Sequence, residues 1–455
     1  MARIEVNDQS RQLLAGLVLA TISVLVFASY FDVFETSRAD LEVITNFNWL
    51  VTAFIIANTV PKGVWSISFI FFIAFGVFHG GLILASGMGG ITDEDILYQI
   101  SFWFSSEETY NAIHLINLSF LALGIGVVVC TKPQQLAGPL NTTEYQKKLF
   151  DIGGLMVSAV VVLFFMVAIA TGAIASYGSY LSVVDSTPIV GLLFTYIYLF
   201  IGLGMVLLTV CYDKSFGNRY FVVFAIWALV AFKLGLRGEV MFPSAVGACM
   251  LGRKCKPMNG ALLVLAIIVF LISAGIVKNL RVSGDYSGSQ EMSMNPLNAV
   301  AEMGSSLRAV DEVIRWRRSG DELLMGASYW APIERQLALL IPQMERLPAA
   351  EDHRLLNVKV IERTGPIGFS PVAEAYINFG ESGVFILFVL FGAVLAMLDN
   401  LRSTLVGDVL LGVSLLPLFV MIRNSFAHVP VQIILGVVVT GALMIMFRKN
   451  SKGAL

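Results

Sequence analysis

The sequence has little charge for its length. Asp, Glu, Lys and Arg make up 14% of the 455 residues, whereas hydrophobic residues make up 57%. Soluble domains carry about a quarter charged residues, so this composition excludes a water-soluble globular protein. The formal net charge of −2 gives no indication of a nucleic-acid partner, because binding to phosphate backbones requires a basic surface.

Cysteine is also scarce, and the four residues fall near the ends of apolar segments: Cys130, Cys211, Cys249 and Cys255. None lies in the long polar segment, so a disulfide framework is not expected. The sequence has no nucleophile elbow, P-loop, dinucleotide fingerprint after a strand, or metal-ligand cluster. We therefore expect neither a metal nor a cofactor.

Long apolar runs are abundant and predict an all-α polytopic membrane protein. At about 20 residues per span, the chain divides into about twelve transmembrane helices. The predicted spans are 13–31, 44–60, 64–85, 112–130, 152–173, 190–210, 220–236, 239–251, 261–277, 384–398, 406–422 and 429–447. The eighth is too short to cross a bilayer unaided, so we expect it to be tilted or broken.

One long polar segment separates the ninth span from the tenth. The predicted organisation is nine spans in 1–277, a large loop in 278–381 and three spans in 382–455. Short loops rich in lysine and arginine stay in the cytoplasm, and twelve spans place all such loops on one face. Both termini are then cytoplasmic and the loop is periplasmic, which predicts a protein of the bacterial inner membrane.

The segment 365–383, GPIGFSPVAEAYINFGESG, closes the polar loop. Its glycines and prolines predict repeated turns, and Pro371 suits the first turn of a helix. Glu374 and Asn378 would share a face of that helix, since they are four residues apart. A carboxylate at the membrane boundary is costly without a partner. Two interpretations stay open: Glu374 takes part in chemistry, or it pairs with an arginine and fixes the loop.

Charged residues also cluster at the end of the seventh span, where Lys233, Arg237 and Glu239 follow one another closely. The fork of donors on an arginine suits phosphate oxygens. The alternatives are an arginine that extends to the interface and an Arg237–Glu239 pair that closes a helix end.

Two further basic sites are predicted on the outer side. Lys278 and Arg281 leave the ninth span, and Arg423 lies between the last two spans with His428 close by. Each could hold a diphosphate or anchor a helix at the interface. Several arginines that converge on one face would form an anion site.

The layout resembles that of the O-antigen polysaccharide polymerases, the Wzy-type repeat-unit polymerases. The likeness covers most of the chain and is sharpest at 368–383. Family members often carry a serine, a glutamate four residues later, then Asn-Phe-Gly and a further glycine. The matching residues here are Ser370, Glu374, Asn378, Phe379, Gly380 and Gly383. The Gly-Leu-Arg-Gly run at 235–238, the Ile-Pro dipeptide at 341–342 and Arg423 are similar to other elements of the family.

The resemblance implies a fold like that of the C superfamily of glycosyltransferases and a polymerase activity. Two repeat units, each on undecaprenyl diphosphate, would meet at the outer face of the inner membrane. The growing chain would leave its carrier and join the incoming unit. A chain-length regulator and a flippase are the implied protein partners, alongside membrane lipids.

On this hypothesis, Arg237, Arg281 and Arg423 hold the diphosphate and stabilise the charge that develops on it. Glu374 accepts or orients the acceptor hydroxyl proton, and Glu239 is the second candidate base. The remaining candidates for substrate binding are Lys233, Lys278, Ser370, Tyr376, Asn378 and His428.

Two other functions are weighed against this one. A flippase or transporter also carries buried charges and a broken span, but no paired halves with matching interrupted spans are visible. An O-antigen ligase is the second alternative. In those ligases a histidine precedes the closing glycines of the loop, whereas Phe369 and Ser370 hold that place here.

Overall fold

The computed structural model describes residues 8–132, 144–170, 188–233, 236–254, 259–260, 262, 295–341, 343–344 and 346–451. Within these residues the chain is helical and contains no β-strand. The prediction of an all-α protein is therefore confirmed for this part of the chain.

The described residues form sixteen α-helices, numbered here in chain order. They are α1 (Asp8–Tyr30), α2 (Arg38–Thr59), α3 (Ile67–Gly87), α4 (Glu94–Ile100), α5 (Glu107–Cys130), α6 (Glu144–Ala170), α7 (Pro188–Cys211), α8 (Arg219–Lys233), α9 (Arg237–Lys254), α10 (Pro296–Met303), α11 (Leu307–Arg318), α12 (Ala327–Leu337), α13 (Leu356–Arg363), α14 (Pro371–Asn400), α15 (Leu405–Met421) and α16 (Val429–Ser451).

Seven of these helices are long and apolar enough to cross a membrane: α1, α2, α3, α5, α6, α14 and α16. Three others, α7, α8 and α15, contribute shorter apolar stretches. Every predicted span coincides with a helix except 261–277, of which only residue 262 is described. The protein is thus a multi-pass membrane protein, while the count of twelve spans and the periplasmic loop stay predictions.

The chain folds into two compact units, each assembled from separate parts of the sequence. The first comprises 1–135, 295–401 and 421–431, and the second comprises 136–294, 402–420 and 432–455. The polar loop helices α10 to α13 therefore belong to the same unit as α1, α2, α3, α5 and α14. The predicted boundaries near 277 and 381 separate membrane spans from the large loop, whereas the compact units group residues by packing. Those boundaries therefore stay a prediction.

Small residues bring α5 and α14 close together in the first unit. A Cβ at Gly126 would lie 2.0 Å from the Val389 carbonyl oxygen, and one at Gly392 would lie 2.2 Å from the Leu123 carbonyl oxygen. Backbones approach this closely only where side chains are absent, which is how many membrane helices pack. This packing fixes α14, whose N-terminal part carries the polar residues described below.

Replacing Gly126 by alanine is expected to destabilise the protein by roughly 2 kcal/mol, because the added methyl group forces two backbones apart. The measurement is the thermal unfolding of the purified protein in detergent. Gly16→Ala is the matched control, since a Cβ at Gly16 meets no atom within 4 Å. Equal unfolding temperatures for the two variants would show that the α5–α14 approach is not tight.

The second unit has polar contacts of its own inside its helices. The Nε atom of Arg253 donates to the Oδ1 atom of Asp408 at 2.9 Å, and both side chains are buried. The Nε2 atom of Gln432 donates to the hydroxyl of Tyr198. Removing one partner of a buried ion pair strongly destabilises a protein, because the other charge stays buried without compensation. Arg253 and Asp408 are therefore structural residues of this unit.

Candidate functional site

The polar residues of segment 365–383 are placed by the first turn of α14. Ser370 is the N-cap residue, and its Oγ atom accepts from the backbone N–H groups of Val372 at 3.1 Å and Ala373 at 3.4 Å. Pro371 follows as the first helical residue, as predicted. Gly380 breaks the helix with φ 70° and ψ −160°. Residues 371–379 therefore form a short first segment that precedes the rest of α14.

Ser370 is tied to a histidine that the sequence analysis did not identify. The Nε2 atom of His79 lies 2.8 Å from the Ser370 Oγ atom, and its Nδ1 atom lies 3.0 Å from the Phe75 carbonyl oxygen. Because Nδ1 must donate to that carbonyl, Nε2 accepts the hydroxyl hydrogen of Ser370. Both residues are fully buried, so the predicted contact between Ser370 and substrate would require this cap to open. The sequence feature that could have identified His79 is that it is a lone histidine in an apolar span, where ionisable residues often have a role.

Glu374 joins three separate segments. Its Oε1 atom accepts from the Ser328 hydroxyl at 2.8 Å, and its Oε2 atom accepts from the Phe426 backbone N–H at 2.7 Å. The side chain is only 1% exposed, and no arginine among the described residues forms an ion pair with it. Glu374 therefore fixes the loop through neutral donors, and not through the arginine that the alternative interpretation expected.

Asn378 completes the same network one turn later. Its Nδ2 atom donates to the Ser328 Oγ atom and to the Glu374 carbonyl oxygen, both at 2.7 Å. Its Oδ1 atom accepts from the Gly326 backbone N–H at 2.9 Å. The prediction that Glu374 and Asn378 share a face is confirmed, and Ser328 is the group on which they meet. No local pattern marks Ser328, because its partners are distant in sequence.

Aromatic rings pack beside this network. The ring of Tyr329 stacks on Phe379 with centroids 6.4 Å apart and meets the edge of Phe426 at 5.7 Å. Burial and the nearby Glu374 carboxylate raise the pKa of Tyr329 well above its ordinary value. Tyr329 therefore stays a neutral phenol at physiological pH.

Arg423 lies directly against the glycine-rich turn that precedes α14. Its carbonyl oxygen accepts from the Phe369 backbone N–H at 3.0 Å. Gly368 has φ +76°, and a Cβ there would lie 3.0 Å from that oxygen and 3.7 Å from the Arg423 Cγ atom. The Arg423 residue is exposed. Two elements identified separately in the sequence, the 365–383 segment and the arginine between the last two spans, are thus neighbours.

The 3₁₀ turn that follows Arg423 in the chain is itself anchored. Ser425 caps the 3₁₀ turn 426–428 by accepting from the Ala427 backbone N–H at 3.4 Å. Glu374 holds the same turn through Phe426. His428 closes the turn and is half-buried. Buried polar anchors therefore lie next to one exposed arginine, a residue type that suits the binding of a phosphate group.

Replacing Gly368 by alanine is expected to slow the reaction at this site about 10-fold or more, because Arg423 must move and small displacements are costly in catalysis. Gly365→Ala is the matched control. It has a comparable strained φ of +97° but no atom within 4 Å of the added Cβ. The measurement is the initial rate, for each purified variant, of the polymerisation that the sequence resemblance implies, and equal rates would argue against a role for the Gly368–Arg423 contact.

Except for Tyr376, which belongs to the 365–383 segment, the structure does not place the other predicted residues next to that segment. Glu239 is half-buried in the first turn of α9, in the second unit. The backbones of Lys233 and Arg237 end α8 and begin α9, but their side chains lie outside the described part. Lys278 and Arg281 also lie outside the described residues. Tyr376 is half-buried on α14. The predicted convergence of several arginines is therefore untested, and only Arg423 is placed beside the motif.

The described residues contain no group of three or more His, Cys, Asp or Glu side chains arranged to hold a metal ion. The site as described thus consists of one guanidinium, a carboxylate with both oxygens hydrogen-bonded, and the amide and hydroxyl groups that support them.

The chain is similar in sequence to known proteins over most of its length. The sequence profile of the O-antigen polysaccharide polymerase Wzy family matches residues 13–452. Protein CapE of Staphylococcus aureus is 25% identical over 375 residues, which cover 81% of this chain and 80% of the relative. No solved structure matches the chain. Since the profile spans nearly the whole sequence, the chain belongs to the O-antigen polysaccharide polymerase Wzy family.

Proposed function

We propose that the protein polymerises oligosaccharide repeat units carried on undecaprenyl diphosphate into O-antigen or a similar surface polysaccharide. The reaction takes place at the periplasmic face of the inner membrane, with both termini of the protein in the cytoplasm. Family membership supports the polymerase activity. The observation that carries the choice of site is the exposed Arg423 held against the 365–383 segment.

The proposed step is a glycosyl transfer. The bond between the anomeric carbon of the growing chain and its diphosphate oxygen breaks. A new glycosidic bond forms between that carbon and a hydroxyl oxygen at the non-reducing end of the incoming unit. This hydroxyl group loses its proton in the same step. Negative charge develops on the departing diphosphate, and fixed cations placed there lower the barrier.

Arg423 is the proposed cation at that position, and Arg237, Arg281, Lys233 and Lys278 are proposed as further phosphate contacts. The Arg423 carbonyl oxygen accepts from the Phe369 backbone N–H, and Gly368 lies close to the Arg423 stem. The backbone of Arg423 is therefore already in place when the charge develops, which lowers the reorganisation that the reaction requires.

In this proposal Glu374 is a positioning residue, which holds Ser328 and the turn at Phe426 in place. Each of its carboxylate oxygens already accepts one hydrogen bond, from Ser328 or from Phe426, and the side chain is only 1% exposed, so an acceptor hydroxyl does not reach it in this geometry. Glu239 is the remaining proposed acceptor for the hydroxyl proton, because it is only half-buried. Tyr376, Asn378, Ser370 and His428 then support the substrate site through the helix and the turn.

The proposed function is tested by the surface polysaccharide of a deletion strain. Deletion is expected to leave lipid carriers and surface acceptors with a single repeat unit, and the wild-type gene is expected to restore the ladder of longer chains. Loss of even the single unit on deletion would indicate ligation or export instead. The ligase and flippase alternatives would then replace the polymerase.

A further inference from the structure

A cavity of about 590 Å³ lies in the first unit, away from the Glu374 network. It is formed by the start of α2, the end of α3 and the segment that includes α4. Its lining includes Arg38, Ser86, Ile91, Leu97, Ser101 and Phe104. Small-molecule sites commonly have volumes of several hundred Å³, so the cavity is large enough for a sugar residue and part of its neighbour.

Among the described residues that line this cavity, Arg38 is the only charged one, and its guanidinium is held on two sides. Its Nε atom donates to the Glu42 Oε1 atom at 3.1 Å, and its central carbon lies 4.3 Å from the centre of the Phe104 ring. Its Nη2 atom is buried and has no hydrogen-bond partner among the described residues. An unmet buried donor is costly, so a small shift of the Arg38 side chain that brings this donor to the cavity would let an acceptor atom of a ligand satisfy it.

The chemistry of the lining favours a neutral ligand. Glu42 compensates the charge of Arg38, whereas a site for a free anion needs an excess of positive charge. The lining combines serine residues with the apolar residues Ile91 and Leu97. Such a surface matches a sugar, which has hydroxyl groups at its edge and C–H groups on its face.

The large loop covers the wall of this cavity. Asn298 accepts from the Thr92 backbone N–H at 3.0 Å, and Asn295 donates to the Gly90 carbonyl oxygen at 2.7 Å. Gly90 and Thr92 flank Ile91 in the sequence. The cavity is therefore placed where loop residues meet the membrane helices, within the same unit as Arg423.

We propose that this cavity binds a neutral sugar residue of the repeat unit, with Arg38 and the serine hydroxyls as hydrogen-bond partners. The inference rests on the proposed polymerase function for the identity of the ligand. Arg38 is then a specificity-determining residue: it contributes to substrate affinity and takes no part in bond breaking.

The first test measures KM and kcat for lipid-linked repeat units with the purified full-length protein. Arg38→Met is expected to raise KM about 10-fold with kcat little changed, and Ser101→Trp is expected to do the same by filling the cavity. Arg308→Met is the matched control, because the Arg308 guanidinium also lies over a ring, 4.9 Å from the centre of Phe102, but does not line the cavity. Unchanged KM in Arg38→Met and Ser101→Trp would overturn the proposal.

The second test measures binding directly by saturation-transfer NMR, with the lipid-free oligosaccharide released from the repeat unit by mild acid. Transfer is expected with the wild type and Arg308→Met, and loss of transfer with Arg38→Met. No transfer to the wild type would overturn the proposal. So would a KM effect seen only in phosphatidylglycerol and not in phosphatidylcholine nanodiscs, since the cavity would then bind a lipid phosphate.

The two proposals fail separately. A wild-type protein that forms no polymer, yet transfers saturation to the oligosaccharide, contradicts the polymerase function and keeps the sugar site. A wild-type protein that forms polymer with an unchanged KM in Arg38→Met contradicts the sugar site alone.

Discussion

Replacing Arg423 by alanine is expected to lower the rate of polymer formation by about 100-fold or more, the usual cost of losing a group that stabilises developing charge. Arg423→Lys is expected to keep part of the activity, because a lysine supplies charge without the two parallel donors of a guanidinium. The measurement is the initial rate with purified protein and lipid-linked repeat units at saturating concentration.

Arg402→Ala is the control for the loss of a surface arginine, since Arg402 is also exposed and has no place in the proposed site. It is expected to have the wild-type rate. Arg423→Ala with at least half of the wild-type rate would remove Arg423 from the mechanism, even if the polymerase function stands.

Replacing Glu374 by alanine is expected to abolish polymer formation and to lower the free energy of unfolding by roughly 3 kcal/mol. The variant leaves the Phe426 N–H and the Ser328 hydroxyl buried without their acceptor, and each unmet group costs about 1–3 kcal/mol. Thermal unfolding in detergent and the polymerisation rate are measured on the same preparation.

Two milder variants separate positioning from proton transfer. Glu374→Gln keeps one oxygen for the Phe426 N–H, and Ser328→Ala removes one donor while leaving the carboxylate in place. If Glu374 acts by positioning, both variants lower the rate by similar factors of about 10. A loss of more than 1,000-fold in Glu374→Gln, with near-normal activity in Ser328→Ala, would instead make Glu374 the base.

The positions of the membrane helices could be predicted because long apolar runs have a direct physical cause in the bilayer. The shared face of Glu374 and Asn378 was also predictable, since it depends only on helical periodicity. The start of α14 at Pro371 followed from the same local rules.

The partners of these residues could not be predicted. Ser328, Phe426 and His79 reach the motif through a hydroxyl, a backbone N–H and a lone imidazole, and none of these has a local sequence signal. Their proximity depends on how distant helices pack. The sequence therefore indicated which residues of 365–383 are unusual, but it could not show that Glu374 is buried while Arg423 is exposed.

The break at Gly380 shows the same limit. A short helix from Pro371 and a span from Val384 were both predicted, but not that they join at a kink at Gly380 into α14. Glu381 lies just after the kink and accepts a hydrogen bond from the Tyr30 hydroxyl of α1. The sequence therefore predicted the two helical segments, whereas the contact of Glu381 with Tyr30 depends on how distant helices pack.

The most direct measurement is made with the purified full-length protein alone in nanodiscs, supplied with repeat units on undecaprenyl diphosphate. The products are separated by size after release from the lipid. A ladder of multiples of the repeat unit with the wild type, and single units with Arg423→Ala, is the predicted result. Single units from a folded wild-type protein would contradict the polymerase function, because no other protein is needed for the proposed transfer.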